Sequence, residues 1–117
     1  MVIVHPSNRF DALSRSKASY LFLRKVSRWP SGAEVGAIDL AANQPIRREF
    51  VQQVLQMSEE QLAEYWIDQR ATRGVSPPAE VRDAAAAKRW GAAKPGGIAY
   101  IPSSALDGTV KAIRVEP

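Results

Sequence analysis

Apolar positions alternate between two periods along the chain, and the switches between them mark the elements. Residues 2 to 5, VIVH, form a short apolar strand, and Pro6 and Asn8 end it as turn formers. Ser14 is a good N-cap for a helix that runs to about Leu23, with Ala18, Leu21 and Phe22 facing inward. Pro30-Ser31-Gly32 is a turn. The stretch 34 to 56 then reads as a strand, a tight loop and an amphipathic helix. Val35, Ile38 and Leu40 supply strand character, and Asp39 stands at the strand's C-terminal end. Ala41 to Gln44 form the loop. Pro45 takes the first helical position, where a missing N–H costs nothing. Ile46, Phe50, Val54 and Leu55 repeat at the spacing of one buried helical face.

The next helix announces itself with a capping box from Ser58 to Gln61, and Met57 and Leu62 sit at the staple positions. Leu62, Tyr65 and Trp66 form its inward stripe. It is expected to fray near Arg70 into an irregular loop, ATRGVSPP. A helix centred on AAAAKRW follows and ends near Lys94, before Pro95-Gly96-Gly97. GIAYI is a strand, Pro102 to Leu106 a single helical turn, Asp107-Gly108 a turn, and TVKAIRV a last strand. The order β-α-β-α-α-α-β-β predicts an α/β fold around a mixed sheet of about four strands flanked by helices.

Composition adds limits. A chain of 117 residues is expected to make one domain, 1–117, with one core. No apolar run approaches the roughly 20 residues that span a bilayer. Met1 leads directly into VIVHP, so no leader is read there, and a cytoplasmic or an exported protein both stay open. With no cysteine there is no disulfide and no thiolate chemistry. The net charge is +4, but the basic residues are scattered rather than striped, so no specific nucleic-acid partner is expected. The chain contains no G-x-S-x-G, H-E-x-x-H or P-loop, and its only histidine is His5. An enzyme is not expected, nor a cofactor or a metal site.

The ordered set VIVHPSN, LSRSKASYLFL with RWPSG, IDLAANQPIRREF, QVLQMSEEQLAEYW and PGGIAYIPSSALDGTVKAI resembles the phosphate-type substrate-binding proteins of ABC transporters. The likeness is to a short, single-lobe form of the type 2 periplasmic binding fold, and it covers nearly the whole chain. It implies a non-catalytic solute-binding domain connected with ABC-type transport or sensing, a periplasmic location, and phosphate or another small oxyanion as ligand. In such proteins the ligand meets a loop like Ala41 to Gln44 and the helix start after it. The sequence also departs from the family pattern. Ala37 stands where an arginine is usual, Asn43-Gln44-Pro45 replace a Ser-Gly-Thr type loop, and Arg24 replaces a glycine after the first helix. Thr72-Arg73-Gly74 partly keep a T-G-(K/R)-G-like loop.

The candidate ligand residues are therefore Asp39, Asn43, Gln44, Arg47, Thr72 and Arg73. Asp39 would either accept a proton from the oxyanion or order its own turn. Asn43 and Gln44 would donate to a ligand or cap the helix. Arg47 and Arg48 stand in a first helical turn, where each cation opposes the dipole by roughly 0.3–1 kcal/mol. A bound anion or a nearby acid would offset that cost. Arg47 is the one at the family's arginine position. Two functions follow: a weak oxyanion-binding lobe, or a protein-interaction module, self-associating or partnered, that kept the fold and lost the ligand.

Overall fold

The computed structural model describes residues 1–117. Its strands are β1 (Val2–Val4), β2 (Ala12–Ser14), β3 (Gly36–Leu40), β4 (Ala79–Val81), β5 (Gly97–Tyr100) and β6 (Lys111–Glu116). Its α-helices are α1 (Arg15–Phe22), α2 (Pro45–Phe50), α3 (Glu59–Arg73) and α4 (Ala84–Ala93). A 3-10 turn covers Ser103–Ala105, as the sequence predicts. The six strands form one sheet in the order β2-β6-β1-β5-β3-β4. β3 runs parallel to both β4 and β5, and β2 parallel to β6. β1 is antiparallel to its neighbours β5 and β6.

The sheet has six strands rather than about four. The two additional ones, β2 and β4, are three residues each and lie at the sheet's two edges. Ala-Leu-Ser and Ala-Glu-Val are too short to display an alternation. Backbone pairing with β6 and β3 makes them strands, and that pairing is non-local.

Side chains alternate across the sheet, so Val2 and Ile3 of β1 face opposite sides. Tyr100 pairs with Val2, and its ring packs on Phe22 of α1 and Phe50 of α2. Ile3 lies on the other side, where Gly91 of α4 comes against it and Val110. Helices therefore cover both faces, in three layers. Val2, Ile3, Val4, Ile98, Ala99, Tyr100 and Ile101 are all buried, because the central strands are covered on both sides.

Two local features shape the site. The helix begun by α2 continues as a π turn, Val51–Leu55. The wider turn brings Val51 into the core beside Phe50 and Leu55, while Ile46 and Val54 are only half-buried. The turn ends at Gln56, in the left-handed conformation at φ 55°. The second feature is Gly96, where a Cβ would fall 1.9 Å from the Glu34 carbonyl oxygen. Only glycine allows the segment leading into β5 to approach the segment leading into β3 this closely.

Candidate functional site

β3, β4 and β5 run in the same direction, and their C-terminal ends open on the same edge of the sheet. Ligands of open α/β sheets bind outside such ends. Asp39 stands at the end of β3, Glu80 in the neighbouring β4 and Tyr100 at the end of β5. The register pairs Asp39 directly with Glu80. Arg47, in the first turn of α2, reaches back over this edge. Its Nη1 donates to the Leu40 carbonyl at 2.9 Å and to Glu80 Oε2 at 2.5 Å, and lies 3.7 Å from Asp39 Oδ2. Its Nη2 donates to Glu59 Oε2 at 3.5 Å. Its Nε is buried without a hydrogen-bond partner, although Glu59 Oε1 lies 3.3 Å away.

One guanidinium thus faces three carboxylates. The Arg47 side chain is 12% exposed and that of Asp39 18%, whereas Glu59 and Glu80 are about half exposed, at 47% and 51%. Burial by itself would lower the Arg47 pKa. The Glu80 hydrogen bond and the charges of Asp39 and Glu59 outweigh it and raise the pKa overall. Asp39 moves the other way from a usual ion-paired acid. Burial raises its pKa above the normal carboxylate value, and hydrogen bonds from Tyr100 and the Leu40 N–H, with the Arg47 charge, oppose the rise. The Tyr100 hydroxyl donates to Asp39 Oδ1, and burial together with that negative neighbour pushes its own pKa up strongly. Leu40 N–H also donates to Asp39 Oδ1, at 2.8 Å. Asp39 is held by its own strand, by β5 and by α2 at once.

The remaining candidates are placed differently. Asn43 is exposed on the loop. Gln44 occupies the N-cap of α2 without a side-chain cap hydrogen bond, so its amide is not committed to the helix. The expected loop at Thr72 and Arg73 is corrected: α3 continues through Arg73 and ends at Gly74, φ 66°, in a left-handed C-cap. The Thr72 hydroxyl donates back to the Asp68 carbonyl, and Arg73 donates to Gln69. Both face solvent. α3 begins beside Arg47 at Glu59, so its last turn lies about 20 Å further along the helix axis. The structure brings Asp39 and Arg47 together, with Asn43 and Gln44 on the loop between them, and leaves Thr72 and Arg73 outside.

Three members of the cluster were not among the candidates. Glu59 directly follows the capping-box serine, Tyr100 lies in the strand GIAYI, and Glu80 falls between the loop expected over 71–78 and the helix centred on AAAAKRW. Their common signal is weak: each is one polar residue at or near the end of its element. No group of His, Cys, Asp or Glu is spaced to hold a metal ion, and the three acids converge on a guanidinium instead. No helix is long and apolar enough to cross a membrane.

The three-layer arrangement is similar to one lobe of a type 2 periplasmic binding fold. Two solved structures carry that likeness. One is an ABC-type phosphate transport receptor from Vibrio cholerae, at TM-score 0.76 and 16% identity over 96% of this chain. The other, from Clostridium perfringens, is described as a phosphate ABC transporter substrate-binding protein with bound phosphate, at TM-score 0.76 and 17% identity over 97% of this chain. The chain spans 43% of the length of each, so it corresponds to less than half of either protein. No protein-family model and no curated protein sequence matches the chain.

Proposed function

We propose that residues 1–117 form one non-catalytic binding lobe, which takes phosphate or another small oxyanion weakly at the loop 39–47. In this reading it serves ABC-type solute uptake or sensing outside the cytoplasmic membrane. The observation that carries the reading is the position of Asp39, the Asn43-Gln44 loop and Arg47 at the C-terminal edge of three parallel strands. The likeness to two phosphate-associated structures supports the oxyanion class. Weakness follows from the charge count. Three carboxylates already surround Arg47, so an incoming anion meets a local excess of negative charge. Asn43 and Gln44 are left as the neutral donors.

The same observation favours a second reading, in which the ligand has been lost and the cluster only fastens α2 and α3 to the sheet edge. The fold would then serve as a protein-interaction module. Titration of the ¹⁵N-labelled protein with phosphate separates the two. Saturable amide shifts confined to residues 41–47, at a Kd of about 1–10 mM, are expected for the weak lobe. Flat amide positions there at tens of millimolar would leave the second reading in place.

A further inference from the structure

The other end of the parallel strands carries an opening. A groove of about 740 Å³ lies where β3, β4 and β5 begin, bounded by the end of α4 and by the segment after α3. That volume is within the range of sites for small organic ligands, about 300–1,000 Å³. β3 enters beside the groove at Gly36 and ends at the Arg47 cluster at Leu40, so the two places are separated by the strand's length, about 13 Å.

The lining has two characters. Half of its eighteen residues are apolar, among them Val35, Val75 and Trp90. Its charges are three cations, Arg24, Arg73 and Lys94, against one carboxylate, Glu34. The cations come from three separate elements and none of them is ion-paired. Lys94 Nζ stands 4.4 Å from the centre of the Trp90 ring, and the Trp90 indole N–H donates to the Gly36 carbonyl at 2.9 Å. The aromatic wall is therefore fixed, with a cation over it. Arg24 adopts φ 60°, a left-handed conformation that disfavours a side chain, and its Nη1 donates to the Ser76 carbonyl at 3.0 Å. A strained non-glycine residue thus fastens the segment after α3 beside the groove. Arg73, expected from the sequence at the phosphate loop, lines this groove instead.

We propose that the groove binds a small amphipathic anion: a flat apolar body carrying one carboxylate or sulfonate. An inorganic oxyanion would leave the apolar half of the lining unfilled. A neutral hydrocarbon would leave three cations facing apolar matter. The groove is separate from the oxyanion loop and does not depend on that loop binding anything.

The test uses 1-naphthoate, with 1-naphthalenemethanol and sodium sulfate as the neutral and inorganic comparisons. Naphthoate is expected to shift the Trp90 indole N–H resonance and the amides of Gly36, Val75 and Ala93, saturably. Naphthalenemethanol and sulfate are expected to bind at least about fivefold more weakly. The Arg73→Gln, Lys94→Gln double variant replaces two exposed side chains, and it is expected to weaken naphthoate about fivefold. In the unaltered chain, raising salt from about 0.05 to 0.5 M should weaken naphthoate in the same direction. Absence of groove shifts at 10 mM naphthoate overturns the proposal. So do equal affinity for the alcohol, equal shifts with sulfate, or shifts confined to residues 41–47.

Discussion

Phe50→Ala is expected to lower the unfolding free energy by about 4 kcal/mol, within the 3–5 kcal/mol range for truncating a buried aromatic ring. The Phe50 ring stacks on Tyr100 with centroids 3.9 Å apart and planes 5° apart. It meets Phe22 edge-on at 4.7 Å and 70°. These three rings join α1, α2 and β5, and alanine would leave a cavity between them that the rigid sheet cannot close. The same substitution frees the ring whose hydroxyl holds Asp39. Denaturant unfolding should show a lower midpoint with an unchanged slope. A loss below about 1 kcal/mol would contradict this and mean that the neighbouring rings collapse into the vacated space.

Arg47→Met is expected to cost about 3 kcal/mol at pH 7, the low end of what removing one partner from a buried ion pair costs. Methionine keeps much of the apolar stem, so the loss reports on the guanidinium. The low end applies because Glu59 and Glu80 are half exposed and readily solvated, whereas Asp39 is only 18% exposed. The pH dependence carries a sign. A carboxyl whose folded pKa is raised favours folding while protonated, and that contribution is lost as pH rises through the folded value. Asp39 is raised, chiefly by burial. Arg47 offsets the cost of ionising it, so removing Arg47 hurts most where Asp39 is ionised. The deficit of the variant should therefore shrink as pH falls below about 7 and Asp39 takes up its proton. A deficit independent of pH would assign the loss to the hydrogen bond from Arg47 to the Leu40 carbonyl rather than to its charge beside Asp39.

The elements that could be read from the sequence were those whose signals are local. The capping box at Ser58 and Gln61 forms as its spacing predicts, and the Ser14 N-cap accepts from Lys17 N–H. Pro45 begins α2. Arg24, standing in place of a glycine, does take the positive φ that a glycine would suit. Elements that depend on partners were not legible: β2 and β4 are strands only through pairing, and the π turn exists because Val51 finds core to fill. The site divides the same way. Asp39 and Arg47 lie eight residues apart across one strand-loop-helix unit, and that unit was readable. Glu80 joins them from a strand that the sequence does not advertise, 33 residues beyond Arg47. Its arrival changes the chemistry, turning an available arginine into one already paired.

That change is the centre of the account, and one comparison tests it directly. If Glu59 and Glu80 hold phosphate affinity down by occupying Arg47, the Glu59→Gln, Glu80→Gln double variant should bind better. The measurement is phosphate titration of the unaltered chain and of this variant, followed at the amides of residues 41–47. A tightening of about tenfold in the variant, at the same amides, is the expected result. Unmoved amides in both proteins would contradict it, and would leave the Arg47 cluster as a fastening between α2, α3 and the sheet.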